Sequence, residues 1–140
     1  MTAATGTPNG CAQRSAERRW AQARPFLEDA LAHAQGTHEI DDVLGAIAEG
    51  RLQLWLGARC AGVSEILTFP RKRVLNLFLA GGDLDEMKAL QPGLEAFARA
   101  HACDGMMFSG RLTGAARRAS GWGRAWPDYQ PTHISFCKEI

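Results

Sequence analysis

The stretch "VLNLFLAGGDLDEM", residues 74–87, decides the fold. An apolar run broken only by Asn76 stops at Gly81 and Gly82, then turns at once into an acidic segment. Strand, glycine loop and helix in that order are how many proteins hold a phosphate. Backbone N–H groups at a helix start carry partial positive charge and point outwards. Asp83 and Glu86 have the spacing of an Asp-x-x-Glu capping box, which predicts that the helix begins there. The strand itself is apolar on both faces apart from Asn76, so it belongs in the middle of a sheet covered on both sides.

Upstream, "LQLWLG" (52–57) and "CAGVSEILTF" (60–69) are also strand-like, and short links separate them from each other and from residues 73–80. Such links favour antiparallel hairpins. Downstream, Met87, Leu90, Leu94, Phe97 and Ala98 form a helical stripe that Pro92 interrupts, predicting a kink or two helices meeting at Gln91–Pro92. "GMMFSG" (105–110) is then a strand. A strand–helix–strand step over 73–109 is a parallel crossover, so the sheet is mixed. Further out, Pro25 suits the first turn of a helix carrying Phe26, Leu27, Ala30, Leu31 and Ala34, closed by Gly36. Ile40, Val43, Leu44 and Ile47 make a second, with Thr37 or His38 near its N-cap and Gly50 at its end. "LTGAARRAS" (112–120) reads as a short helix and "THISFCKEI" (132–140) as a final strand. The expected class is α/β: a mixed sheet with helices on both faces, in one domain over 21–140 after a disordered tail over 1–20.

Composition narrows the partners. Sixteen basic against fifteen acidic residues leave a net charge of +1, which gives no electrostatic case for nucleic acid as the main partner. Hydrophobic residues make up 46% of the chain, enough for a core. The four cysteines lie far apart, with neither the close pairs of a zinc site nor a disulfide framework, so no metal is expected. No apolar stretch reaches the roughly 18 residues of a membrane span, and the first residues lack the apolar region of a secretory signal. A cytoplasmic protein with reduced thiols is the expectation.

The element order, with "GRLQLWLG", "VSEILTFPRKRVLNLFLAGGDLDEM" and "SGR...GW", resembles the GNAT N-acetyltransferase superfamily over roughly residues 25–140. More narrowly it looks like small GNAT-fold proteins encoded by bacteriophages and prophages. The resemblance implies acetyl-CoA in a splay between two parallel strands, with its pyrophosphate on the loop after the first. In this sequence those positions are Leu79, Ala80, Gly81, Gly82, Asp83 and Leu84. The usual loop pattern of the superfamily is not matched by "AGGDLDEM", where Asp83, Asp85 and Glu86 put three carboxylates at the phosphate position. The same acids also suit a plain helix cap.

Glu65 shares a strand face with Ala61, Val63, Leu67 and Phe69 and is a candidate general base for an amine, or an edge glutamate paired with Arg71 or Arg73 or facing a solvent groove. Asn76 is a ligand anchor or a satisfied core amide. Arg111, Arg117 and Arg118 follow a strand where superfamily members contact the cofactor, and equally suit a solvated face. The superfamily often uses a tyrosine on the last helix as general acid. The only tyrosine here, Tyr129, lies just beyond that segment and is the candidate for the role. His133 and Cys137 share a strand face, which allows a nucleophile pair or ordinary packing. Trp55, Trp122 and Trp126 pack or edge a groove. Two functions follow: an acyl-CoA-dependent N-acyltransferase acting on an amine, or a non-catalytic virion or assembly component that contacts phage structural proteins.

Overall fold

The computed structural model describes the backbone of residues 2–34, 36–109, 112–113, 118–119, 128–129 and 138–140. The chain divides into two units, Met1–Ser109 and Gly110–Ile140. In the first, helices α1 (Thr2–Leu31) and α2 (Ile40–Ala48) precede strands β1 (Leu52–Leu56), β2 (Cys60–Thr68) and β3 (Arg73–Gly82). Helices α3 (Leu84–Ala89) and α4 (Gln91–Ala100) then lead to β4 (Gly105–Phe108). The four strands form one sheet in the order β1-β2-β3-β4. The first two pairings are antiparallel hairpins, and β3–β4 is the parallel crossover pair. This is the α/β class expected, with the sheet flanked by helices on both faces.

Strand alternation sorts the core into two layers. Leu52, Ala61, Val63 and Leu79 point to the face covered by α1 and α2, where they pack with Ala23, Leu27, Val43 and Ala46. Leu75 points to the other face, against Leu94 and Ala98 of α4, with Trp55, Ile66, Phe97 and Met106 around them. One irregularity breaks the alternation. Val63 pairs with Leu79 and Ser64 with Leu77, so Phe78 is an extra residue in β3. The bulge places Phe78 and Leu79 both against the α1–α2 core, as a β-bulge does when two residues oppose one.

Local chemistry accounts for the element boundaries. Two helices replace one, as the proline predicts, but they divide at Leu90, one residue before the expected Gln91–Pro92, with Pro92 in the first turn of α4; Met87, Leu94 and Ala98 of the expected stripe are buried. At α2 the N-cap is Glu39 rather than Thr37 or His38, because Asp42 accepts the Glu39 N–H at 2.9 Å. Gly50 ends that helix with φ of +80°. The start of β4 is fixed to the start of β3 by two bonds: Arg73 N–H donates to the Asp104 carboxylate at 2.9 Å, and Asp104 N–H donates to the Arg73 carbonyl at 2.6 Å.

Four sequence expectations are corrected. Pro25 lies inside α1, where its missing N–H forgoes one intrahelical bond. The tail expected before Trp20 is helical from Thr2; residues 11–19 are exposed, and apolar packing begins at Trp20. The glycine loop is strand: Gly81 pairs with Ala61, Gly82 with Cys60, and Asp83 follows directly as the N-cap of α3. In the second unit, the segment expected to be a short helix holds an antiparallel pair, β5 (Leu112–Thr113) with β6 (Arg118–Ala119). An isolated short helix without an apolar stripe is marginal, whereas pairing Leu112–Thr113 with Arg118–Ala119 satisfies backbone groups between the two segments. The final strand expected over 132–140 lies outside the described residues up to position 137, as do Trp122, Trp126, His133 and Cys137.

The two glycines are explained by backbone contacts. A side chain on Gly81 would strike the carbonyl of Phe26 in α1, and Gly82 has φ of +100° with the Arg59 carbonyl beside it. Gly81→Ala and Gly82→Ala are each expected to lower stability by about 1–3 kcal/mol, read from thermal melts. A melt indistinguishable from the wild type would refute this close-packing account.

A half-buried polar chain runs on the α4 side of the sheet. Trp55 Nε1 donates to Ser64 Oγ at 2.8 Å, and Ser64, 0% exposed, donates to Gln53 Oε1 at 2.8 Å. Ser64→Ala strands both neighbours, and the expected loss is about 1–3 kcal/mol in urea unfolding. An unchanged midpoint would mean that water replaces the hydroxyl.

Candidate functional site

The site nominated by sequence lies where β3 ends. Because Cys60 pairs with Gly82, the next residue of the β1–β2 turn, Arg59, stands beside Asp83. Asp83 N–H donates to the Arg59 carbonyl at 2.8 Å, and Arg59 N–H donates to Glu86 Oε2 at 2.6 Å. Asp83 Oδ1 in turn accepts the Glu86 N–H at 3.0 Å, which caps α3. Half of the expected capping box therefore forms, and Glu86 serves the turn of the neighbouring hairpin instead of the Asp83 N–H.

The Arg59 guanidinium adds 3.7 Å and 3.8 Å contacts to Asp83 and Glu86, but its side chain is 74% exposed. Such pairs contribute on the order of 0–1 kcal/mol. Asp85 supplies a third carboxylate in the first turn. At the amino end of α3 the Glu86 N–H is thus taken up by Asp83, and Asp83, Asp85 and Glu86 outnumber the one cation, Arg59. Arg59 was not singled out by its residue type. Only the strand register, continued one step past Cys60 and Gly82, brings it to Asp83.

Leu79 is 5% exposed and packs into the α1–α2 core, and Gly81 is buried under α1. Of the nominated segment, Ala80, Gly82, Asp83 and Leu84 remain at least partly accessible. The backbone here has a direction. Asp83 and, by alternation, Gly81 face β2, so the N–H and C=O of Ala80 point away from it. On that side β4 pairs only with Val74–Leu77, while β3 continues to Gly82. Among the described residues, no strand pairs with the last part of β3 on that side. Among the described residues, the parallel pairing therefore stops at Leu77 while β3 runs on to Gly82.

Glu65 lies opposite Leu52 and Asn76, on the sheet face covered by α1 and α2. Its carboxylate accepts from the Asn76 side-chain amide at 2.9 Å, so its partner is neither Arg71 nor Arg73. Asn76 Oδ1 and Arg73 Nε are buried without a partner among the described residues. Asn76 and Ala80 are four residues apart along β3, about 13 Å at strand rise. Tyr129 is half-buried in the second unit, and Arg111 and Arg117 lie outside the described residues. The structure therefore gathers the 80–84 segment with Arg59 and Glu86, and joins Glu65 to Asn76 as a separate pair. Among the described residues no group of three His, Cys, Asp or Glu could hold a metal ion, and no helix is long and apolar enough to cross a membrane.

Beneath the α3 cap lies Cys60, fully buried. Burial pushes its thiol pKa above the ordinary 9.0; Glu86 and, less strongly, Asp83 add to the rise, while the Gly57 backbone opposes it. A raised acid pKa means that the unfolded state loses its proton first as pH rises. The contribution is complete below about pH 9 and is lost above it. Stability measured by urea unfolding should fall through this alkaline range, and Cys60→Ala should make the fall shallower. Parallel declines in the two proteins would exclude Cys60 as a cause.

Compared with protein-family models, with curated proteins and with solved structures, the chain matches none.

Proposed function

We propose that this chain is a GNAT-type domain, of the kind encoded by bacteriophages and prophages, acting as a virion or assembly component through contacts with other proteins. The observation that carries this reading is the acidic, side-chain-capped amino end of α3. There the resemblance would seat the pyrophosphate of acetyl-CoA, yet Asp83 takes up the Glu86 N–H and Glu86 takes up the Arg59 N–H. A diphosphate at this point would meet three carboxylates, each repelling it by about 1 kcal/mol at 4–6 Å when partly screened. The glycines, moreover, accommodate α1 and β2 rather than a ligand.

A second reading keeps the acyltransferase, and it is favoured by the stretch of β3 beyond Leu77 that no strand among the described residues pairs on the β4 side. An extended pantetheine arm could take up the outward N–H and C=O of Ala80. Glu65 would then be the base for the amine, Tyr129 the acid, and Arg111 a phosphate contact. Calorimetric titration of acetyl-CoA into the pure protein separates the two. The expected result is neither heat nor thermal shift at millimolar cofactor. Saturable binding would overturn the non-catalytic reading; Glu65→Gln should then spare binding and remove turnover.

A further inference from the structure

The hairpin that joins β2 to β3 turns through Phe69-Pro70-Arg71-Lys72-Arg73. Phe69 N–H donates to the Lys72 carbonyl at 2.7 Å and Lys72 N–H to the Phe69 carbonyl at 3.4 Å, which leaves Pro70 and Arg71 as the turn itself. Every residue from Thr68 to Lys72 is exposed. Phe69 shows 49% of its surface to solvent and is, among the described residues, the one exposed phenylalanine or tryptophan. A lone apolar side chain on a surface is ordinary. This one is followed within two residues by three consecutive cations.

Strand alternation spreads those cations around the turn. Lys72 is paired with Phe69 and shares its face, with Cε 3.7 Å from where a side chain on Gly105 would begin. Arg71 lies in the turn. Arg73 is half-buried on the opposite face, the one that carries Leu75. Its Nε is buried without a partner among the described residues, and the Asp104 carboxylate accepts its backbone N–H instead. A guanidinium keeps its charge in a protein, so this one is short of the acceptor that burial calls for.

The arrangement narrows the class of anion. Side chains that diverge from one turn do not close on a single small oxyanion. Nor do they form the row along one groove that follows a nucleic-acid backbone, and a net charge of +1 adds no long-range attraction to a polyanion. A flat anionic surface met end-on reaches every side chain of the turn, whichever strand face each leaves from. If that surface is lipid, it also offers an apolar layer beneath its phosphates. We propose that the β2–β3 turn docks the chain on an anionic lipid bilayer, with Arg71, Lys72 and Arg73 against lipid phosphates and Phe69 in the interfacial layer. The contact is peripheral and uses no spanning segment. It lies at the opposite end of β3 from Asp83, and it is independent of whether the chain binds acetyl-CoA.

Co-sedimentation of the full chain with lipid vesicles tests the proposal. Binding is expected to vesicles of phosphatidylcholine mixed with phosphatidylserine, and not to vesicles of phosphatidylcholine alone. It should weaken as salt rises, because exposed charges are screened. Equal binding to the two compositions, or none to either, would overturn the proposal without recourse to a variant. Arg71→Ala and Lys72→Ala each remove one exposed charge and should lower affinity for the anionic vesicles about fivefold. Phe69→Ser keeps the charges and should also lower it, with an unchanged circular dichroism spectrum. Full binding by folded Phe69→Ser would take the ring out of the contact and refute the docking geometry. A single-stranded oligonucleotide that displaces the vesicles, and is itself lost in the same variants, would assign the turn to nucleic acid instead.

Discussion

The close approach of α1 to β3 at Gly81 governs the arrangement of the first unit. A helix carbonyl, that of Phe26, rests where any other residue of the strand would carry a side chain. The contact holds α1 against the middle of the sheet, so that Ala23 and Leu27 lie over Val63 and Leu79 with no exposure at either helix position. Packing at this density leaves no slack. An extra methyl group must displace backbone, and displaced backbone disturbs both helix and sheet. The residues that resemble a ligand loop are thus the ones that let two secondary structures touch.

The same constraint explains which parts of the fold were legible in the sequence. Hairpin links, the two-faced apolar strand and the Pro92 break are local signals, and they report β1, β2 and β3 correctly and the α3–α4 division to within one residue. Gly81 and Gly82 are ambiguous because a glycine marks close approach without stating what approaches. The apolar stripe through Ala23 and Leu27 outweighed Pro25, since burial along a long helix exceeds the loss of one hydrogen bond. At Leu112–Thr113 and Arg118–Ala119 strand pairing prevails over the helix that the sequence predicts.

The candidate site was half legible for a similar reason. Asp83 and Glu86 were recognisable as a cap from spacing alone, and one half of that cap forms. Arg59 was not recognisable, because its role arises from register between strands distant in sequence. Glu65 was placed on the correct face by alternation, yet its partner, Asn76, is visible only once β2 and β3 are aligned. Polar residues on adjacent strands find each other before either finds solvent, and together they form a cross-strand pair within an otherwise apolar layer.

The paired bonds between Arg73 and Asp104 carry a consequence for how the chain assembles. They join positions 31 residues apart and close the segment from β3 through α3 and α4 to the first residue before β4 into a ring of noncovalent links. Closing a loop of that length costs entropy that grows only logarithmically with its size. Once closed, β3, both helices and β4 can accumulate contacts as one kinetic unit, to which the two N-terminal hairpin strands add from the opposite edge. The parallel pair, ordinarily the slow step of a mixed sheet, is here assisted by a carboxylate at the point where its strands must first meet.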